Sequence, residues 1–257
     1  MSAPEIDLSI LWPAFAAGVL VTATHVPLGI QVLNRGIVFI DLAIAQIAGL
    51  GVILADWFGL EASGWALQAC ALAAALSGAL VLTWTEKHWP EVQEAIIGVA
   101  FVLAASGALL LLAAHPHGAE HLKELLVGQI LWVTPSRVAL IALIYALLLF
   151  VWFAAAGRMG RMGFYIVFAC AVTFSVQLVG LYLVFITLIV PALATRGFSQ
   201  HRLRFAYGLG VAGYGAGLLV STATDLPSGP TVVWIMTGLA ACMLIARART
   251  SARTQPL

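Results

Sequence analysis

Between Met162 and Thr195 the chain runs for about 34 residues without a formally charged side chain. A stretch that apolar is at home in lipid, where backbone N–H and C=O groups must pair within the protein, so it has to be helical. It is too long for one ordinary membrane span of about 17–25 residues and short for two. Gly180 near its middle and Pro191 near its end divide it into two short or broken helices, a form tolerated where backbone is buried in protein or lines a cavity. Seven other apolar runs of near-spanning length accompany it: Ser9–Leu33, Ile37–Phe58, Trp65–Trp84, Ala95–Ala114, Val138–Ala156, Phe205–Ala223 and Thr231–Ala246. The expectation is an all-α polytopic membrane protein with about nine spans, or eight if the central pair is one bent element. One integral domain covers 1–257.

Composition excludes the soluble alternatives. Hydrophobic residues make up 62% and charged residues 9% of the chain, against about 25% charged in a soluble domain. A net charge of +1 without a basic run gives no footprint for nucleic acid. Cys70, Cys170 and Cys242 lie in apolar segments without CxxC spacing and read as packing residues. The first residues carry acids in place of Lys or Arg, so membrane entry by the first span is expected in preference to a cleaved signal peptide. There is no H-E-x-x-H, no G-x-S-x-G and no Walker phosphate loop, so no catalytic residues are expected and any energy from ATP comes from another chain.

Basic residues set the expected orientation. Arg158 and Arg161, then Arg196, Arg202 and Arg204, then Arg247, Arg249 and Arg253 form three clusters, each two spans from the next. Short cytoplasmic loops carry such an excess. Counting back places Arg35 and the Glu86–Glu94 loop inside, His115–Thr134 outside, the N-terminus outside and the C-terminus in the cytoplasm.

Few polar residues sit within the spans. Asp41 lies in the otherwise apolar Arg35–Gly51 stretch, where a carboxylate is either functional or snorkels towards the edge that Arg35 marks. Gln46 lies about 140° around the helix from Asp41, which makes it a path residue or an interhelical hydrogen-bonding group. His25, between Thr24 and Pro27, is a reserve candidate. The loop HPHGAEHLKELL gathers His115, His117, Glu120, His121 and Glu124, a candidate external capture site for a borderline metal ion or an amphipathic surface helix. His117 to His121 also spells H-x-x-E-H, but Gly118 and the short loop argue against a protease site. Arg158 and Arg161 are topology signals, lipid-headgroup contacts or docking residues. Asp225, before Leu-Pro-Ser-Gly-Pro, reads as a cap or turn residue.

Four stretches, taken in order, resemble the membrane subunit of zinc/manganese-type ABC transporters: Arg35…Asp41 with its small-residue run to Gly51, VQEAIIGVAF at Val92–Phe101, LLVGQILWVTPSR at Leu125–Arg137, and Ser175–Arg196 with DLPSGP at Asp225–Pro230. The resemblance implies a homodimer in the bacterial inner membrane, with a cytoplasmic ATPase pair beneath. It also implies an extracytoplasmic binding protein that delivers Zn²⁺, Mn²⁺ or Fe²⁺, which is cargo and not a resident cofactor. Asp41 matches the family's path acid, while the His commonly found four residues later is Ala45; a one-residue slide puts Gln46 there instead. Gln177, Gly180 and Pro191 fall in the implied gate region. Gln93 stands where the family has the first of two acids, and Glu94 keeps the second. The family's cytoplasmic segment of about twenty residues between the fifth and sixth spans, which carries a short helix that docks into the ATPase, is here only AAGRMGRMG. Coupling then uses another surface, such as the Arg196–Arg204 loop with Arg202, or the chain is a permease-like partner that does not itself transport.

Overall fold

A computed structural model describes residues 8–57, 65–112, 130–155, 158–198 and 200–253. Among them are nine α-helices: α1 Leu8–Arg35, α2 Ile40–Trp57, α3 Trp65–His88, α4 Gln93–Leu112, α5 Pro135–Ala154, α6 Arg161–Val179, α7 Leu181–Ala194, α8 Arg202–Thr224 and α9 Ser228–Arg253. Short 3₁₀ turns at Pro90–Val92 and Ile130–Trp132 precede α4 and α5.

Local chemistry sets several of the ends. Thr134 caps α5 by accepting from the Arg137 amide, and Pro135 takes the first helical position, where its missing N–H costs nothing. Gly180 ends α6 and begins α7 at φ +87°, ψ 162°, its own N–H still reaching the Val176 carbonyl at 2.8 Å. That conformation is open almost only to glycine. Asp225 closes α8 in the left-handed region with its N–H on the Ser221 carbonyl, the turn role expected of it.

Helices α1, α6 and α7 form the centre. Helix α1 packs against α5, α6, α7 and α8, while α2 lies on α3, α4 and α6, and α9 on α7 and α8. Small residues permit the close approaches, as where Gly18 meets the Tyr214 ring, Gly210 meets Thr22 and Gly217 meets Val232. The outer helices present apolar side chains to their surroundings, with Leu110 76% and Trp234 78% exposed. Such a surface suits lipid and not water.

Seven of the helices are long and apolar enough to cross a membrane, and α2 and α7 contain shorter apolar helices, Ile40–Ala55 and Leu181–Ala194. The break at Gly180 is where the sequence placed it, but its two sides are unequal. Helix α6 has 19 residues and is a full span, whereas α7 has 14. The expected pair of short helices is therefore one long and one short.

Candidate functional site

One cluster of polar side chains forms at the end of the bundle where α1 finishes. Arg35 is the last residue of α1, Gly36 turns the chain at φ +71°, and α2 starts at Ile40. Asp41 thus stands in the first turn of α2, not midway along a span, and is 0% exposed. Its burial removes the snorkelling alternative, because the carboxylate does not reach solvent. Amides at a helix N-terminus favour a negative charge. Yet neither carboxylate oxygen has a partner of good hydrogen-bond geometry among the described residues, although the amides of Asp41 itself and Leu42 act on it.

A second carboxylate caps the same helix. Glu94, in the first turn of α4, accepts the Phe39 N–H at 3.2 Å, its other oxygen is buried without a partner, and its charge acts on Asp41. Arg35 is committed elsewhere: it donates to Glu86 Oε1 at 3.4 Å and lies 4.4 Å over the Phe164 ring. Arg161 Nε stands 3.9 Å from the same Glu86 oxygen, with its side chain half in solvent. Beside this pair, buried Gln93 donates to the Leu82 carbonyl at 3.0 Å and to the Tyr165 hydroxyl at 3.2 Å, and accepts from Thr85 at 2.9 Å. Gln93 is therefore the donor that joins α3, α4 and α6. An ionised acid at that position could not donate to the Leu82 carbonyl.

The other sequence candidates are spread over the fold. Ala45 is buried, and half-buried Gln46 makes no side-chain hydrogen bond among the described residues, so the interhelical bond considered for it is not formed. His25 is buried in α1, with Nδ1 3.1 Å from the Val21 carbonyl and 3.0 Å from Thr24 Oγ1, while Nε2 has no partner. Gln177 is hydrogen-bonded to Gln68 of α3 and lines a cavity of about 320 Å³ with Arg137 and Phe174, at the far end of the bundle from Asp41. Pro191 lies within α7, one turn before its end. Arg202 is turned back onto α7, donating to the Ala192 carbonyl at 3.1 Å, and so serves to tie two helices together. Arg158 is exposed. His115, His117, Glu120, His121 and Glu124 lie outside the described residues. Among the described residues no group of three or more His, Cys, Asp or Glu side chains is placed to hold a metal ion.

Thr85, Glu86 and Tyr165 escaped sequence reasoning. Glu86 and Tyr165 owe their places to partners many positions away, Arg35 at 51 residues and Gln93 at 72, and Thr85 joins them through Gln93 across the α3–α4 turn. Glu86 alone had a sequence signal, the concentration of charge in the Glu86–Glu94 loop.

The nine helices among the described residues, with apolar outer faces and a polar cluster where α1 ends, define an all-α polytopic membrane protein. The chain belongs to the ABC 3 transport family, whose model matches residues 7–164 and 156–247. The two matched segments overlap over residues 156–164, at the α5–α6 connection and the start of α6. The fold is similar to that of PsaBC from Streptococcus pneumoniae, solved in complex with Fab, at 17% identity over 91% of this chain and 89% of that one, with a TM-score of 0.70. It is also similar to an inward-facing structure of a transporter assigned to the metal-chelate ABC type, at 15% identity, 96% and 91% coverage and a TM-score of 0.69.

Proposed function

We propose that this chain is the permease subunit of an ABC transporter that carries divalent transition-metal ions (zinc, manganese or iron) inward across the bacterial inner membrane. The reading rests on family membership, and the observation that carries it to a site is Asp41: a wholly buried carboxylate with no hydrogen-bond partner of good geometry and no counter-ion among the described residues. Such a group is expensive to keep and is the natural stopping place for a cation. The end that holds Arg35, Arg161, Arg202 and Arg247 is taken as cytoplasmic by the excess of Arg there, which puts the C-terminus inside and Asp41 at the inner end of the path. Glu94 stands beside it, and Gln46 is the next polar group along α2. Gly180, at the break, and Pro191, within α7, shape α7 as a moving element, and Gln177 lies on the other side of that break. ATP hydrolysis belongs to a separate cytoplasmic subunit, delivery to an extracytoplasmic binding protein, and the permease works as a homodimer. The outer His residues 115, 117 and 121, with Glu120, serve as a capture point.

A second reading, a permease-like partner that does not transport, is favoured by the short α5–α6 connection, residues 155–160, and by Ala45. Uptake of radiolabelled Zn²⁺ and Mn²⁺ separates the two in cells that express the permease with the ATPase and binding protein of its transporter. The expected result is uptake that needs all three components and falls at least about tenfold in Asp41→Ala, since even indirect partners of a metal site are worth about 10–100-fold. Wild-type transport with an undiminished Asp41→Ala would remove Asp41 from the path. Correctly inserted wild type that moves neither ion would give the second reading.

A further inference from the structure

An ATPase beneath a membrane subunit can act only on segments that reach it, and at the basic end of this bundle the connections are short. Residues 36–39 join α1 to α2, 89–92 join α3 to α4, and 155–160 join α5 to α6. The α7–α8 connection, residues 195–201, differs in being tied to three helices. From α9, Arg247 donates to the Gly197 carbonyl and lays its guanidinium over the Phe198 ring, 4.7 Å from its centroid. Phe198 in turn packs on Phe205 of α8, with ring centroids 4.8 Å apart. Arg202 reaches back to the Ala192 carbonyl of α7 at 3.1 Å, and Thr195 Oγ1 donates to the Pro191 carbonyl at 2.7 Å. The Arg247 guanidinium lies close against Gly197, where a Cβ would meet it.

The residues that tie the loop down leave two cations free. Arg196 and Arg204 are exposed and have no acidic partner among the described residues. The loop also continues directly from α7, the 14-residue helix that begins at the Gly180 break and packs on α1, α8 and α9. A flexible loop would absorb a push, but one fixed to α7, α8 and α9 passes it to α7, whose break is the natural hinge.

We propose that the clasped α7–α8 connection, with Arg196 and Arg204 at its surface, is where the cytoplasmic ATPase docks and through which it moves α7, and that an acidic patch on the ATPase is its complement. The inference rests on the transporter reading above. A photo-crosslinking residue placed at Arg196, at Arg204 or, for comparison, at Arg158 tests it in membranes containing the permease and the ATPase subunit of its transporter, with an antibody against that ATPase as readout. Crosslinks from 196 and 204 are expected. Crosslinks from 158 alone, or from none of the three while wild-type uptake proceeds, overturn the docking surface and leave the transporter standing. The double variant Arg196→Glu with Arg204→Glu should insert normally, because both side chains are exposed, and lose about tenfold in uptake, the size of effect that unfavourable charge at an interface produces. Uptake equal to wild type in that variant also overturns the proposal. Arg247→Lys, which keeps the charge but not the planar stacking, should fall between wild type and Arg247→Ala. Wild type that takes up neither ion in any combination removes the transporter reading itself, and the docking surface with it.

Discussion

Gly29 sits where α1 crosses α7, the short helix on which the proposed motion depends. A Cβ at this position would land on the carbonyl oxygen of Leu188 and 3.4 Å from the Cβ of Ala192. Neither neighbour can turn aside, since one is backbone and the other is a methyl fixed to it, so Gly29→Ala must push α1 and α7 apart. Overfilling a packed site costs about 1–3 kcal/mol, and a collision with backbone belongs at the upper end of that range. Relief of the glycine's conformational entropy in a helix returns about 1 kcal/mol. The net loss is about 2 kcal/mol, which in a chain of this size lowers the melting temperature by about 4–8 °C. Gly208→Ala on α8 is the matched control, because nothing lies within 4 Å of the Cβ it would gain. There the helix-propensity gain acts alone, and the melting temperature should hold or rise. Both are read by size-exclusion melting of the detergent-solubilised protein. A Gly29→Ala variant that melts with or above Gly208→Ala would refute the close α1–α7 contact.

Two further substitutions probe the break and the polar cluster. Gly180→Ala forces a side chain into a backbone region open almost only to glycine, at φ +87°, ψ 162°, and should cost about 1–3 kcal/mol; a melting temperature equal to wild type would mean that the α6–α7 break is not built this way. Gln93→Glu sets an oxygen against the Leu82 carbonyl that now accepts at 3.0 Å, for a loss of about 1–3 kcal/mol. A double-mutant cycle with Tyr165→Phe should then show coupling above about 0.5 kcal/mol, and additive effects would dissolve the proposed network.

The fold was legible because lipid imposes both a length and an apolar composition on each span, and both are visible in the sequence one segment at a time. Where those constraints stop, so did the reading. The last apolar span, expected near Thr231–Ala246, lies within a helix whose length it did not record: the helix runs from Ser228 to Arg253, since Ala and Arg sustain a helix well after the apolar run has ended. The unequal division at Gly180 was hidden too, because the uncharged stretch continues through Pro191 and records nothing of where α7 meets the bundle end. The site was legible in fewer of its parts. Asp41 stood out as an acid among apolar residues, and Gly180 as a break. Their surroundings did not, because the contacts that make them join distant positions: Arg35 to Glu86 across 51 residues and Phe39 to Glu94 across 55. No periodicity within one helix encodes those pairings; packing of α2 against α3, α4 and α6 does.

That packing also explains why Asp41, and not its neighbours, is the group on which a path should be built. Glu86 spends one oxygen on Arg35, and Glu94 spends one on the Phe39 amide. Arg35, the cation nearest in sequence, has its guanidinium on Glu86 and over the Phe164 ring, and so leaves Asp41 uncompensated. A buried carboxylate with neither a good hydrogen bond nor a counter-ion loses more by desolvation than a helix N-terminus returns, since the helix dipole is worth about 2 kcal/mol at most. Replacing it with an apolar residue would stabilise the isolated subunit. A chain that carries the acid at that cost is arranged for a positive charge that its own residues do not supply. If so, Asp41→Leu should melt no lower than wild type while losing uptake, and a variant that loses stability and transport together would instead make Asp41 a structural group.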